Sequence, residues 1–297
     1  MAIDILLLGK NGQVGWELQR ALSPLGEIFA LGSAECDLTN AGQLQATVRS
    51  LKPAIIVNAA AYTAVDKAES EPELARKING IAPGILAEEA KRIGAWLVHY
   101  STDYVFDGTQ SGAYSEEDPT SPLSVYGSTK LEGEQSIRQV DCRHLIFRTS
   151  WVFAARGGNF AKTILRLGRE REMLKIVADQ FGAPTSAELI ADVTTLCLRE
   201  VQYRENDDLK GIYHLVAGGE TSWHGYARFV LEHAARLGCV LKCPAEKVEP
   251  IPTDGYPLPA KRPANSRLDT SKLQREFGLY LPEWTYHAER MLAEIII

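Results

Sequence analysis

The first half of the chain alternates short, almost continuously apolar runs with segments whose apolar residues recur at helical spacing. The apolar runs cover residues 3–8, 28–31, 54–57, 96–100 and 144–147. None contains proline, as expected of strands buried on both faces of a parallel sheet. Residues 14–22 and 41–51 have the periodicity of amphipathic helices. Such strand–helix units predict an α/β fold with a Rossmann-type, doubly wound parallel sheet.

This alternation ends after about residue 151, where turn signals such as "ARGGN", "AGGE" and "YPLPAKRP" become frequent. Helical patterns recur at 159–169, 187–203, 223–237, 270–277 and 284–296. We therefore expect a dinucleotide-binding domain over residues 1–152 and a smaller mixed, mainly substrate-binding lobe over residues 153–297, with some segments returning to the first sheet. Pro83 lies inside a helical pattern at 71–92, which predicts a kink or two helices there.

Composition and charge narrow the class of protein. With 45% apolar and 24% charged residues the chain is typical of a soluble globular protein. The net charge of −6 and the absence of a basic run argue against a nucleic-acid partner. The apolar run at the N-terminus is too short for a signal peptide or a membrane span. Five cysteines without CxxC spacing indicate reduced thiols, so we expect a cytoplasmic protein with no membrane partner.

A glycine motif directly follows the first predicted strand. In "GKNGQVG", Gly9, Gly12 and Gly15 allow a tight turn and bring the backbone close to a pyrophosphate at the start of a helix. Glycines also serve ordinary strand-to-helix turns, so the motif alone leaves both interpretations open. Its position at the first strand–helix junction favours a dinucleotide site. Asn58 and Ala60, in "VNAAAYT", fall at the carboxyl end of the third strand, where open α/β sheets bind ligands.

The end of the second strand decides how the adenosine ribose is held. Dinucleotide enzymes often place an acid there, about 20 residues beyond the glycines, or an arginine for a 2′-phosphate. The sequence "LGSAECD" has neither at the strand tip, and Asp37 follows a few residues later, where we expect it to face the adenine. The choice between NADPH and NADH stays open, and a site that accepts both is compatible with the sequence.

Three further side chains, Thr102, Tyr126 and Lys130, suit the reduction of a carbonyl group. Thr102 lies with Asp103 at the end of the fourth predicted strand, and Tyr126 and Lys130 stand four residues apart on the following helix. A carbonyl oxygen that gains charge needs a proton donor and a second hydrogen bond. A lysine ammonium nearby is expected to lower the pKa of the phenol. A tyrosine and a lysine at this spacing are by themselves more often a helix surface; their combination with the glycine motif favours a catalytic site.

The sequence resembles the extended short-chain dehydrogenase/reductases and, among them, the dTDP-4-dehydrorhamnose reductase family. The resemblance covers essentially the whole chain and rests on "GKNGQVGWEL", "VNAAAYTAVDKAE", "STDYVFDG", "YGSTKLEGE", "DQFGAPTSAELIAD" and "RPANSRLDTSKL". It implies an oxidoreductase that reduces the 4-keto group of dTDP-4-dehydro-6-deoxy-L-mannose to dTDP-L-rhamnose with NADPH or NADH. Such a reaction belongs to the biosynthesis of carbohydrates, including lipopolysaccharide.

The resemblance also implies roles for individual residues. Tyr126 would be the general acid, Lys130 its partner and a contact of the nicotinamide ribose, and Thr102 the hydroxyl that holds the keto oxygen. The implied cofactor-binding residues are Gly9, Asn11, Gly12, Gln13, Val14, Asp37, Leu38, Ala60, Ala61, Tyr62, Tyr126 and Lys130. Thr102, Asp103 and Trp151 match positions that contact the sugar nucleotide. Gly32 stands where the family usually has an acid, which leaves the cofactor preference open.

The predicted second lobe offers residues for a nucleotide diphosphate. Arg262, Asn265 and Arg267 in "KRPANSRL" are candidates, because guanidinium groups suit phosphate oxygens. A solvated basic turn is the alternative interpretation. Phe181 and Pro184 in "DQFGAPT" would pack against the base or sugar, or alternatively fill the core between the lobes.

Some relatives bind Mg²⁺ through glutamates at a dimer contact, and Glu188 and Glu294 match those positions. A homodimer that holds Mg²⁺ at its contact is one interpretation, and solvated glutamates on a helix surface are the other. Asp103-Tyr104 replaces the Asp-Glu pair of related 4,6-dehydratases, which favours reduction over elimination. Two other functions stay open. One is a non-catalytic regulatory subunit, like that of methionine adenosyltransferase; the other is a reductase of a related keto nucleotide sugar.

Overall fold

The computed structural model describes residues 3–203 and 207–296. Its strands are β1 (Ile3–Leu8), β2 (Gly26–Leu31), β3 (Ile55–Asn58), β4 (Trp96–Thr102), β5 (His144–Thr149), β6 (Val152–Phe153), β7 (Leu174–Val177), β8 (Phe181–Gly182), β9 (Thr185–Ser186), β10 (Gly211–His214), β11 (Thr221–Ser222) and β12 (Val248–Ile251). Its α-helices are α1 (Gln13–Leu22), α2 (Ala41–Leu51), α3 (Val65–Ala68), α4 (Pro72–Arg76), α5 (Ala82–Ile93), α6 (Val125–Val140), α7 (Phe160–Glu170), α8 (Ala187–Tyr203), α9 (Trp223–Arg236), α10 (Ser271–Phe277) and α11 (Trp284–Ile296).

Six of the strands form one parallel sheet in the order β2-β1-β3-β4-β5-β10. The side chains of β1 alternate between two apolar layers. Ile5 and Leu7 face a layer that includes α1 and α8, whereas Leu6 and Leu8 face a layer that includes α2 and α5. Helices therefore cover both faces of the sheet, and the predicted doubly wound parallel fold is confirmed.

The direction in which strands are added reverses beside β1, because β2 pairs with one of its edges and β3 with the other. Open α/β sheets bind ligands in the crevice that such a reversal leaves at the carboxyl ends of the strands. The loop after β1 and the loop after β3 meet at this crevice. The fold thus places the glycine motif and the "NAA" segment side by side.

The helical pattern around Pro83 is interrupted, as predicted. Between α4 and α5 the chain forms one wide π-helical turn, Lys77–Ile81, and Pro83 lies in the first turn of α5. Proline has no N–H, and its ring crowds the carbonyl four residues earlier, so a regular α-helix through this point is disfavoured. The wider turn accommodates the proline, and single π turns often occur at functional sites.

The second half of the chain contributes to both parts of the molecule. β10 extends the main sheet beside β5, and α8 packs against α1. The two-stranded pairs β7–β12, β6–β9 and β8–β11 lie outside that sheet, and α7 and α9 pack on each other. All five helices predicted after residue 151 are confirmed within about one residue at each end. None of the helices within residues 3–203 and 207–296 combines the length and apolar character needed to cross a membrane.

Candidate active site

The loop between β1 and α1 depends on two glycines. Gly9 has a φ of +89°, in the left-handed region, and a Cβ there would lie 2.6 Å from Ala60 N. A Cβ at Gly15 would lie 2.0 Å from Gly9 O. Glycine at both positions lets the loop approach the chain after β3 and lets α1 pack onto its own loop.

The N-terminus of α1 opens from this loop towards the crevice. Its N-cap residue is Gly12, so no side chain caps the N–H groups of the first turn. Uncapped N–H groups and the helix dipole favour an anion such as a pyrophosphate. Asn159, after β6, donates from Nδ2 to Gln13 Oε1 at 3.0 Å and so fixes the first residue of the helix. The predicted loop residues Asn11, Gln13 and Val14 fit a bound dinucleotide in this setting.

The end of β2 lies against the same loop. The backbone N–H groups of Gly9 and Lys10 both donate to Leu31 O, at 2.9 and 3.3 Å. Glu35 folds back to this point: its Oε2 accepts the Gly32 N–H at 2.8 Å, and its Oε1 lies 2.5 Å from Lys10 Nζ. A turn therefore brings the carboxylate of Glu35 back to the end of β2, three residues after Gly32.

Asp37 and Leu38, which are predicted to face the adenine, follow a few residues after β2. The Asp37 carboxylate accepts the Thr39 N–H at 2.9 Å and the Thr39 hydroxyl at 2.8 Å. These two bonds lower the pKa of Asp37, the backbone bond first. Leu38 is buried in the apolar layer under α2. The structure thus gives Asp37 a local turn-forming role, and its predicted contact with adenine stays a prediction.

The wall after β3 is fixed by the π-helical turn. Asn79 in that turn accepts the Tyr62 N–H on Oδ1 at 2.9 Å and donates from Nδ2 to Tyr62 O at 3.0 Å. Both backbone groups of Tyr62 are thereby satisfied by one amide side chain. Ala60 and Ala61, just before it, are small and partly exposed. The π turn therefore fixes the backbone of Tyr62 at the predicted cofactor wall. Sequence reasoning missed this contact.

Tyr126 and Lys130 are brought to the crevice because α6 begins immediately before them. Ser124 is the N-cap of this helix, and its Oγ accepts the Gly127 N–H at 3.2 Å. Glu69 Oε1 accepts the Val125 N–H at 2.9 Å. Tyr126 then lies close enough to Thr102, at the end of β4, for the two side chains to interact. The predicted hydroxyl, phenol and amine are thus collected at one edge of the sheet.

The expected lowering of the Tyr126 pKa by Lys130 is wrong for this structure. Burial is the largest influence on the phenol and raises its pKa to about 12. The charged phenolate loses hydration when it is buried, and the neighbouring Thr102, which lowers the pKa, does not make up for this loss. The phenol therefore stays protonated through neutral pH, which is the form a proton donor needs.

Lys130 is buried and belongs to a network that sequence reasoning missed. Its Nζ lies 2.5 Å from Tyr100 O, to which it donates, and 3.2 Å from His99 Nε2. On the other side of the ring, Asn58 Nδ2 faces His99 Nδ1 at 3.2 Å, and Asn58 Oδ1 accepts the Ala60 N–H. The pairing of β3 with β4 sets Asn58 directly beside His99.

Burial determines the protonation of the groups in this network. It lowers the pKa of Lys130 to about 8, while the charge of Glu134 opposes the change. Burial also lowers the pKa of His99 well below its usual value, so the imidazole is neutral.

Asp103 lies beside the reacting groups as a buried carboxylate. Its Oδ1 accepts the Thr102 hydroxyl at 3.0 Å. Burial raises its pKa to about 6 and outweighs the hydrogen bonds that stabilise the charged form. The Thr102 hydroxyl therefore donates to Asp103, while its oxygen accepts the Tyr104 N–H at 3.2 Å.

Trp151 is held in a strained backbone conformation between β5 and β6. Its φ is +48°, an outlier for a bulky residue. The indole stacks on Trp223 of α9 with a centroid distance of 3.6 Å, and a Cβ at Gly182 would lie 2.9 Å from it. Trp223 was not predicted as part of the site. Strain maintained by packing on both sides is consistent with the predicted contact of Trp151 with substrate.

The three predicted diphosphate ligands bind mainly to protein groups in this structure. Arg262 forms a two-pronged ion pair with Asp66 of α3, at 3.1 and 2.8 Å. Asn265 donates to Gln110 O and Gly112 O at 2.7 Å each. Arg267 donates to Ser111 O at 2.9 Å, to Asn265 Oδ1 at 2.8 Å and to the Glu220 carboxylate at 3.2 Å. The basic turn therefore fastens neighbouring segments together, and its contact with phosphate stays a prediction.

Phe181 and Pro184 have different surroundings. Phe181 is 40% exposed, and the Arg267 guanidinium lies 5.9 Å from its ring centre. Pro184 is buried next to β9. An exposed aromatic ring suits a ligand contact, whereas a buried proline suits the packing alternative.

The predicted metal ligands lie on α8 and α11. Glu188 is 3.8 Å from Arg290, and its charge, after burial, is the next largest cause that raises the pKa of Glu17. Glu294 contributes to the same shift. In the described part of the chain, no three His, Cys, Asp or Glu side chains are grouped so as to hold a metal ion. The Mg²⁺ site and the dimer stay predictions.

Comparison with known proteins places this geometry in a family. Residues 3–297 match the family model described as RmlD substrate binding domain. The chain is 52% identical over 297 residues to the dTDP-4-dehydrorhamnose reductase of Escherichia coli (strain K12), covering 99% of this chain and 98% of that protein.

Two solved structures resemble the fold over nearly its whole length. The dTDP-4-dehydrorhamnose reductase of Bacillus anthracis in complex with NADP has a TM-score of 0.89 at 34% identity, with 99% of this chain and 100% of that chain covered. A dTDP-4-dehydrorhamnose reductase from Clostridium acetobutylicum has the same TM-score at 36% identity, with 99% and 98% covered. By sequence and by fold, the chain belongs to the dTDP-4-dehydrorhamnose reductase family.

Proposed function

We propose that the chain reduces the 4-keto group of dTDP-4-dehydro-6-deoxy-L-mannose to give dTDP-L-rhamnose, with NADPH or NADH as reductant. The observation that carries this proposal is the meeting of Tyr126 with Thr102 beside buried Lys130, at the edge of the sheet that also holds the glycine loop. The relatives named above are reductases of this class, and one was solved with NADP.

The residues divide the chemistry among them. The bound nicotinamide supplies a hydride to the carbonyl carbon. Tyr126 is protonated at neutral pH, so it can donate its proton to the oxygen as negative charge develops there. When the substrate is bound, the Thr102 hydroxyl turns from Asp103 and donates the second hydrogen bond to that oxygen. Lys130 is held by Tyr100 O and His99 on the same helix face as Tyr126. Its amine can accept or release a proton there.

The sugar nucleotide is expected to lie between the sheet edge and the second half of the chain. Asp103 and Trp151 border this space near the reacting groups. Arg262, Asn265 and Arg267 border it farther away and are proposed to assist with the diphosphate. Hydrogen-bonding groups at one end and an aromatic face at the other suit a deoxysugar with one keto group.

An oxidation assay tests the proposal. Purified protein should oxidise NADPH or NADH only when dTDP-4-dehydro-6-deoxy-L-mannose is added, and dTDP-L-rhamnose should form in equal amount. Tyr126→Phe should cut turnover by at least ~10²-fold, the lower range for a positioned acid, while cofactor binding is retained. Tyr280→Phe, a change on a ring that is 80% exposed, is the matched control and should leave turnover intact. Undiminished turnover in Tyr126→Phe would refute the assigned role.

A further inference from the structure

The strongest unassigned feature is the ion pair at the end of β2. Lys10 belongs to the glycine loop and Glu35 to the segment after β2, and their charged atoms lie 2.5 Å apart. Both side chains are partly exposed, at 27% and 44%, so the pair is accessible from solvent. A structural role alone does not require a pair here, because the backbone bonds from Gly9 and Lys10 to Leu31 O already join the loop to the strand.

The position of the Glu35 carboxylate identifies what it faces. Doubly wound enzymes place an acid at the end of the second strand to bind the 2′-hydroxyl of the adenosine ribose. In this chain β2 ends at Leu31, and the N–H of the next residue, Gly32, donates to Glu35 Oε2 at 2.8 Å. The carboxylate is thereby returned to the strand end, although its residue lies three positions later.

A positive charge, that of Lys10, lies at the same end of β2. Lys10 is adjacent to Gly9, so its ammonium lies beside the loop that fits the pyrophosphate. A Cβ at Gly32 would lie 2.7 Å from Asn11 Nδ2, which places an amide donor at the strand end as well. An ammonium and an amide suit a phosphate dianion, whereas a carboxylate repels it.

We propose that the Lys10–Glu35 pair sets the choice between NADPH and NADH. This inference rests on the proposed function for the identity of the cofactor class. When NADH binds, Glu35 accepts a hydrogen bond from the 2′-hydroxyl, and Lys10 only neutralises the charge of Glu35. When NADPH binds, Lys10 pairs with the 2′-phosphate, and the negative charge of Glu35 repels that phosphate. The two residues act in opposite directions, so the intact pair holds the preference between the two cofactors near balance.

Opposed substitutions test this arrangement through binding as well as turnover. Lys10→Met should weaken binding of NADPH by about tenfold, the lower range for a hydrogen bond to a charged group, and leave NADH within about twofold. Glu35→Gln should tighten NADPH by a similar factor and weaken NADH. Isothermal titration with each cofactor gives both dissociation constants without any substrate. Titration with adenosine 2′,5′-bisphosphate and with 5′-AMP isolates the contribution of the 2′-phosphate.

Matched controls change the same charges elsewhere. Glu27→Gln lies at the opposite end of β2, and Lys52→Met lies after α2; both side chains are exposed, and neither should alter the ratio of dissociation constants. If Lys10→Met and Glu35→Gln weaken both cofactors equally, the pair only fastens the loop and the proposal is wrong. If the ratio of the dissociation constants for NADPH and NADH shifts as expected but no keto sugar is reduced, the proposed reaction is wrong, whereas the role of the Lys10–Glu35 pair stands.

Discussion

The catalytic edge and the basic turn use polar side chains in opposite ways. At the catalytic edge, which comprises the ends of β1, β3 and β4 and the start of α6, polar groups are held from behind by backbone and buried neighbours. Tyr100 O and His99 hold Lys130 in this manner. In the basic turn, residues 262–267, the charged groups themselves hold the chain together, as Arg262 does with Asp66.

This contrast teaches which sequence signals carry a function. A glycine loop, a strand end and a tyrosine–lysine spacing each restrict backbone geometry, so their conjunction predicts a site. A cluster of arginines predicts only a positive charge, and that charge can pair with a phosphate or with a neighbouring carboxylate. The predictions below separate the two uses of charge.

The largest difference should appear when a similar ion pair is broken in each region. Arg148 and Glu134 lie behind the catalytic edge at 3% and 1% exposure, whereas Arg262 and Asp66 are 19% and 38% exposed. Arg148→Met leaves a buried carboxylate unpaired and should lower the free energy of unfolding by roughly 3–5 kcal/mol. Arg262→Met should lower it by about 1 kcal/mol or less, because water screens that pair. Urea denaturation at pH 7 measures both, and equal losses would contradict the distinction.

At the catalytic edge, ionisation of Asp103 should lower the free energy of unfolding in a pH-dependent way. Burial raises the pKa of this carboxyl from 3.8 to about 6, so the folded protein binds its proton more tightly than the unfolded chain. Stability from this group is therefore full below pH 4 and is lost as the pH rises to 6. Asp103→Asn should remove this loss. The free energy of unfolding should therefore rise by roughly 2–3 kcal/mol at pH 7 and hardly change below pH 4.

A second aspartate gives the opposite sign and serves as the control. The Thr109 N–H and hydroxyl lower the pKa of Asp107, so its stabilisation is present above the usual pKa and is lost as the pH falls. Asp107→Asn should therefore destabilise the protein at pH 7 and have less effect in acid. Thermal unfolding across pH 3.5–8 compares the two variants. A gain for Asp103→Asn that is independent of pH would show that the charge is not its cause.

Much of the fold follows from the sequence because it depends on local patterns. The first five strands and the helices after residue 151 were predicted within a few residues, since apolar runs and helical spacing determine them directly. Thr102, Tyr126 and Lys130 were also found together, because strand ends of a parallel sheet share one edge.

The missed residues depend on relations between segments that no single segment encodes. His99 meets Asn58 only because the register of β3 and β4 sets the two residues side by side. Asn79 reaches Tyr62 because the π turn shifts it. Glu35 closes back on Gly32 across a turn. Strand register, helix irregularity and turn closure are tertiary properties, and the sequence patterns used for prediction do not report them.

The glycine loop offers a third test, in which backbone geometry alone is changed. A Cβ at Gly15 would lie 2.0 Å from Gly9 O, so Gly15→Ala must displace the loop or the helix. We expect a loss of about 1–3 kcal/mol in stability, typical of overpacking, together with weaker binding of NADPH. Gly42→Ala in α2 is the matched control, because its nearest neighbour is 3.6 Å away. It should be neutral or slightly stabilising, since alanine favours helix.

The smallest effect distinguishes the two uses of charge within the basic turn itself. If Arg262 contacts the diphosphate as well as Asp66, Arg262→Lys should raise the KM for the sugar nucleotide about tenfold, the lower range for a hydrogen bond to a charged group. Asp66→Asn breaks the same ion pair but keeps the guanidinium, so the KM should stay within about twofold. Steady-state kinetics with saturating NADPH measures both. A similar rise in KM for the two variants would mean that the pair acts only by holding α3 against the basic turn.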